Sequence, residues 1–307
     1  MSEADDRLLS DALGDALRHD VALGPFTTYR VGGPARWAVD IDDEATLSRL
    51  ASVVGAVEVP VLVIGLGSNL LVSDAGFDGL VVRLGGVFAA VSMEQTQVIA
   101  GGAAKLPVVA RASVSAGLTG FEWAVGVPGS IGGAVRMNAG GHGAEMSDSL
   151  HSIRVLDLTS DEDARMAASA LHLGYRTSAV GPEHVVLDAR LDLEPDTDGR
   201  GSETISEIVA WRRAHQPGGP NAGSVFTNPR GDSAGRLIDA AGLKGHRVGT
   251  AEVSTKHANF IQVDPGGHAA DVLALMDHVR GVVFDAHGVE LEAETRIVGF
   301  GAEVDRR

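Results

Sequence analysis

The chain has 307 residues, 44% hydrophobic and 21% charged, and a formal charge of −16 from 41 acidic against 25 basic side chains. That length and balance describe a globular protein of two or three folding units, and the acidic excess repels nucleic acid and anionic membrane, so neither is an expected partner. Cysteine is absent, which excludes disulfides, thiolate metal clusters, iron–sulfur centres and a cysteine nucleophile.

In chain order, Leu8, Leu9, Ala12, Leu13 and Leu17 recur at helical spacing and predict an amphipathic helix near the start. This opening is acidic and mixed, unlike a secretory signal, and no later apolar run is long enough to span a bilayer. A cytoplasmic protein is the expectation. Residues 36–41 read as a strand, followed by Asp42 as N-cap of a helix over 43–54. Residues 59–64, 80–84 and 97–100 read as short strands, and 106–116 as a helix that Gly117 ends. Further on, 152–158 and 185–193 read as strands with a helix between them near 162–171. The polar, acidic stretch 194–203 is the best linker candidate. A helix near 205–215, strand-like 257–263, a helix over 269–284 and a strand over 289–298 complete the chain. Strands and helices alternate without a regular repeat, which favours an α+β architecture over one doubly wound sheet.

Two segments are too glycine-dense for element interiors: 63–69 (VIGLGSN) and 126–140 (GVPGSIGGAVRMNAG). Glycine reaches positive φ and lets a ligand approach the backbone, and consecutive amides in such loops form concave anion sites. An acidic protein can hold a nucleotide cofactor this way. Neither segment is a Rossmann fingerprint, because 65–70 lacks the third glycine, and no Gly-Lys-Ser/Thr marks a P-loop. Tight turns remain the alternative reading, more so for the first loop than for the second.

Together the segments 27–35 (TTYRVGGPA), 64–79 (IGLGSNLLVSDAGFDG), 117–143 (GLTGFEWAVGVPGSIGGAVRMNAGGHG), 175–178 (YRTS), 222–229 (AGSVFTNP), 235–245 (GRLIDAAGLKG), 253–261 (VSTKHANFI) and 291–299 (LEAETRIVG) resemble the UDP-N-acetylenolpyruvoylglucosamine reductase family. The resemblance implies a vanillyl-alcohol-oxidase-type (PCMH-like) FAD-binding fold of two subdomains, over 1–85 and 86–198. A C-terminal α+β substrate-binding domain would cover 199–307, its last strand returning to the FAD domain. It implies non-covalent FAD, NADPH as hydride donor and UDP-N-acetylglucosamine enolpyruvate as substrate, in peptidoglycan precursor synthesis. Hydride would pass from reduced FAD to C3 of the enolpyruvyl group, and a proton would reach C2. A monomer or weak homo-oligomer is expected.

Carried onto this chain, the resemblance assigns catalysis to Arg176, Ser224 and Glu294. Arg176 would hold the substrate carboxylate and the enolate, a role that suits a guanidinium fork; by residue type alone it is more often a surface arginine. Ser224 would protonate C2, and its alternative is a turn serine. Period-two alternation places Leu291, Ala293, Thr295 and Ile297 on one strand face and Glu290, Glu292, Glu294 and Arg296 on the other. A solvated face explains Glu290, whereas Glu294 matches the glutamate that shares the enolate, kept protonated by its acidic neighbours. Cofactor contacts would come from Tyr29, Arg30, Gly65, Gly67, Ser68, Asn69, Leu70, Gly126, Val127, Pro128, Gly129 and Ser130, and from Gly132, Gly133, Ala134, Asn138, Ala139 and Gly140. Substrate contacts would come from Tyr175, Asn228, Lys256 and His257. Thr227, the run Gln262-Val263-Asp264 and the pair Gly141-His142 depart from the family pattern. No metal-ligand spacing stands out among the 11 histidines. A flavin electron-transfer subunit would need neither Ser224 nor Glu294. An alcohol oxidase of the same fold often tethers its flavin through histidine or cysteine, and no histidine lies within 65–74.

Overall fold

The computed structural model describes residues 3–301. The chain divides into two compact units: Met1–His19, Trp37–Leu66 and Gly79–Arg212 form the first, and Asp20–Arg36, Gly67–Asp78 and Arg213–Arg307 the second. Helices and mostly antiparallel sheets are mixed in both, the expected α+β architecture.

Seven α-helices punctuate the described residues: α1 (Glu3–Leu13), α2 (Glu44–Val54), α3 (Leu106–Ser115), α4 (Ile131–Arg136), α5 (Gly201–His215), α6 (Ala234–Ala240) and α7 (Ala269–His287). In the first unit a five-stranded antiparallel sheet runs in the order Glu162–Ala167, Leu150–Asp157, His184–Asp192, Gln97–Gly101, Val91–Glu94. Its core gathers Phe121, Trp123, Ile131, Val135, Met146 and Leu191. A second cluster in the same unit packs Leu9 and Leu50 of α1 and α2 against Trp37, Leu80 and Leu187.

Local chemistry explains the helix ends. Asp43, and not Asp42, caps α2, accepting the Thr46 N–H at 2.7 Å. Gly117, at φ +75°, lies just beyond α3. The segment 162–171, expected as a helix, is a strand (Glu162–Ala167) followed by a 3₁₀ turn (Ala168–Leu171). The Asp157 carboxylate accepts the Thr159 and Ser160 amides and turns the chain back, so pairing with Leu150–Asp157 overrides the local helix propensity of Glu and Ala. The acidic stretch 194–203 is tied down at both ends, Glu194 pairing with Thr119 and Asp196 accepting the Gly201 N–H at 2.9 Å.

The second unit holds a three-stranded antiparallel sheet, Arg247–Val248, Ala251–Val253 and Ile261–Val263, against which α7 packs. Val272, Leu275, Met276, Val279 and Val283 recur at the helical period and are buried. Gly288 at φ +66° ends α7, and both carboxylate oxygens of Asp74 accept its first amides, from Ala269 and Ala270, at 2.9 Å each. Residues 289–298, expected as one strand, form a strand only over Arg296–Val298, which pairs in parallel with Leu70–Val72. Upstream, one isolated bridge joins Ala293 to Phe226.

Candidate functional site

In the first unit Gly65, of the first glycine segment, approaches Ser130, of the second. A Cβ on Gly65 would lie 2.2 Å from the Ser130 hydroxyl, so only glycine allows this approach without displacing that hydroxyl. Ser130 is buried and caps α4, a helix inside the glycine run that the glycine density had hidden. It forms because Ile131, Ala134 and Val135 bury one face. The amides of Ile131 and Gly132 are spent on the carbonyls of Ala104 and Gly102, at 2.9 and 2.8 Å, and Gly133 donates to Ser130 Oγ. What Gly133 and Gly65 offer a ligand is therefore exposed backbone surface without side chains, more than free donors. Pro128 is exposed beside them, Val127 is half-buried, and Gly126 and Gly129 are buried.

At the other end of the run Asn138 is fully buried at φ +39°, a conformation asparagine tolerates. Its Nδ2 donates to Glu145 Oε1 at 2.9 Å and to the Gly174 carbonyl at 3.0 Å, and its Oδ1 accepts the Ser147 N–H at 2.9 Å. Gly174 pairs with Thr177, which makes Tyr175 and Arg176 the corner of a two-residue turn, Arg176 at φ +58°. The guanidinium reaches back to the carbonyls of Asn138 and Gly140, at 3.4 and 3.3 Å, and lies 5.1 Å from the Tyr175 ring centroid. Arg176 is thus brought to the C-terminal end of the glycine run. His142, in the hairpin beyond Gly140, packs edge-on to Trp211 at 5.0 Å. Burial, with the Arg212 charge second, holds its pKa below the ordinary histidine value.

In the second unit Ser224 and Glu294 lie on adjoining segments. The Val225 carbonyl accepts Glu294 N–H at 2.8 Å and Thr295 N–H at 3.3 Å, and Thr227 N–H donates to the Glu292 carbonyl at 2.9 Å. The alternation expected for 290–297 holds except at two positions: Glu290, Glu292 and Arg296 are exposed and Leu291, Thr295 and Ile297 buried, whereas Ala293 and Glu294 are both half-buried. Asn69 Nδ2 donates to the Glu294 carbonyl at 2.9 Å, and the Asn69 carbonyl accepts Arg296 N–H at 3.0 Å. Asn259, which sequence reasoning did not single out, binds the segment after Ser224 from another side. Leu70 and Tyr29 are buried, and the hydroxyls of Tyr29 and Thr295 are buried without a hydrogen-bond partner. Gly67, at φ +58°, could not take a Cβ, which would fall 2.1 Å from the Phe26 carbonyl oxygen. Arg30 is exposed at φ +62°.

The expected substrate residues are engaged locally. Asn228 Oδ1 accepts the Ala234 N–H at the start of α6, and Lys256 Nζ donates to the Arg213 carbonyl at 2.5 Å. His257 is half-buried, its Nδ1 accepts the Asn259 N–H at 3.3 Å, and burial, with Lys244 second, lowers its pKa. Among the described residues no group of three or more His, Asp or Glu side chains could hold a metal ion, and no helix is long and apolar enough to cross a membrane.

Comparison with known proteins matches two family models: an FAD binding domain over residues 36–161, and the C-terminal domain of UDP-N-acetylenolpyruvoylglucosamine reductase over 215–298. A reductase of that name from Gloeobacter violaceus is 44% identical over 291 residues, covering 94% of this chain and 98% of the relative. The chain belongs to the UDP-N-acetylenolpyruvoylglucosamine reductase family. Another reductase of this family, from a Synechococcus species, is 44% identical over 287 residues, 92% of this chain and 94% of the relative. The crystal structure of the family's enzyme from Thermus caldophilus superposes with a TM-score of 0.81 at 36% identity, over 92% of this chain and 100% of that one.

Proposed function

We propose that the chain is an FAD-dependent oxidoreductase that reduces the enolpyruvyl group of UDP-N-acetylglucosamine enolpyruvate to give UDP-N-acetylmuramate, with NADPH as electron donor. The observation that supports the reading is the hydrogen bonding of the Ser224 and Glu294 segments through Val225, two stretches of chain with no local sequence relation. FAD fits the residues present: the side-chain-free surface where Gly65 meets Ser130 lets a ligand lie against the backbone, and the orphaned Tyr29 and Thr295 hydroxyls are buried polar groups with capacity to spare. Gly65, Gly67, Ser68, Asn69 and the 126–140 run would hold it, with Tyr29, Arg30 and Leu70.

Bound FAD would supply hydride transfer from NADPH to C3 of the enolpyruvyl group. Arg176 would bind the substrate carboxylate and stabilise the enolate, its fork already oriented by the carbonyls of Asn138 and Gly140. Ser224 would give the proton at C2, and Glu294 would share the developing charge. Tyr175, Asn228, Lys256 and His257 would contact the substrate. Residues 1–85 and 86–198 would serve the cofactor and 199–307 the substrate. On this reading the enzyme would work in the cytoplasm, as a monomer or weak homo-oligomer making a peptidoglycan precursor, and hence in support of cell shape and division.

Purified protein should carry flavin absorbance and sustain NADPH turnover only when the enolpyruvyl substrate is present. Ser224→Ala should leave flavin reduction by NADPH intact and suppress reoxidation by the substrate. Equal loss in both half-reactions would remove the proton-donor role.

A further inference from the structure

Ser224 follows Gly223, at φ +76°, and lies in no strand, two residues before a single isolated bridge at Phe226, so regular structure does little to fix it. One buried side chain closes on that stretch. Asn259 is 3% exposed; its Oδ1 accepts the Phe226 N–H at 3.0 Å and its Nδ2 donates to the Phe226 carbonyl at 2.8 Å. Its own carbonyl accepts the Val225 N–H at 2.9 Å. The primary amide thus imitates a neighbouring strand, satisfying both backbone groups of one residue. The Glu294 segment takes the Val225 carbonyl and the Thr227 N–H, so the two residues after Ser224 are gripped from two directions. Asn259 is itself seated by a tight loop, in which Ser254 Oγ accepts the Lys256 and His257 amides and Ser254 N–H donates to the Phe260 carbonyl at 2.8 Å.

We propose that Asn259 is a positioning residue for the protonation step: it fixes the backbone that carries Ser224 against the segment that carries Glu294. The inference rests on Ser224 being the proton donor. A donor hydroxyl must be held to within a fraction of an ångström, because a displacement of roughly 1 Å costs about 10²-fold in rate. Removing the amide leaves both polar groups of Phe226, a residue 1% exposed, without their partner, and the segment must move to satisfy them.

The test uses the full-length, FAD-loaded enzyme and follows the two half-reactions by rapid mixing. Asn259→Ala should keep flavin reduction by NADPH within about twofold and slow reoxidation by UDP-N-acetylglucosamine enolpyruvate about 10²-fold. In a Ser224→Ala background the same change should add less than about twofold, because both substitutions remove one function. Asn259→Asp keeps the acceptor for Phe226 N–H but loses the donor to the Phe226 carbonyl. Its reoxidation rate should therefore recover as pH falls and the carboxyl again donates, which a role in fold stability alone would not produce. Equal slowing of both half-reactions, a full additional loss in the Ser224→Ala background, or an Asn259→Asp rate flat with pH would each overturn the proposal. If Asn259→Ala does not fold, Asn259→Asp carries the same cycle. A Ser224→Ala enzyme that reoxidises at the wild-type rate would instead sink the proton-donor reading, and the positioning role with it.

Discussion

Asn138 is the point at which the first unit ties its glycine run to Arg176, and Asn138→Ala tests that link. Three hydrogen bonds disappear: two donated, to Glu145 Oε1 and the Gly174 carbonyl, and one accepted from Ser147 N–H. A net contribution of about 1 kcal/mol each, and about 2 for the bond to the carboxylate, gives about 4 kcal/mol. Holding alanine at φ +39° adds about 1 kcal/mol more. Asn138→Asp should be worse than alanine, since it sets a second carboxylate at hydrogen-bond distance from Glu145 and a carbonyl. All three tryptophans, Trp37, Trp123 and Trp211, lie in this unit, so urea unfolding followed by tryptophan fluorescence reports on it selectively. A loss under about 1 kcal/mol, or an aspartate variant more stable than the alanine one, would refute the reasoning.

Gly67→Ala should abolish flavin retention, measured as flavin absorbance per protein after gel filtration, because its Cβ would collide with backbone at a left-handed φ. A fully flavinated variant would show that the loop gives way. Asp74→Ala removes both hydrogen bonds to the first amides of α7 and should cost about 1–2 kcal/mol. Its signature is faster hydrogen exchange at Ala269 and Ala270 than in the middle of α7, and unchanged exchange there would contradict it. His142 is held below 6.5 by burial first and by Arg212 second. The unfolded chain then binds a proton that the folded one resists, so this contribution is complete above pH 6.5 and is lost as pH falls below it. Replacing it by glutamine should flatten the stability profile of the first unit below pH 6.5; an unaltered slope would mean that the ring titrates normally.

The fold was legible wherever periodicity and punctuation agreed. The periodic face of α7 and the Gly117 stop after α3 could both be read from local sequence. Expectation failed where a distant partner decided. Glu162–Ala167 is rich in helix formers, yet it is a strand because Leu150–Asp157 offers it a ladder. α4 was hidden by glycines whose helix cost is offset by burial of Ile131 and Val135. The site divides in the same way. Arg176, Ser224 and Glu294 could be singled out because their segments resemble a known pattern, but nothing local announces the side chains that orient them. Asn69 stood out as a glycine-loop residue, and its side chain donates to the Glu294 carbonyl, 225 positions away. Asn259 reaches Phe226 across 33. Asparagine carries a donor and an acceptor on one short arm, so it can replace a missing strand neighbour wherever a ladder must open to let a reactive side chain out. In the second unit the single bridge beside Ser224 and Glu294 has an asparagine on each side, Asn259 on the backbone of Phe226 and Asn69 on the Glu294 carbonyl. Substituting either should therefore disturb the proposed reacting side chains, Ser224 and Glu294, before it disturbs the fold, which separates these two residues from Asn138, whose loss is expected first in stability.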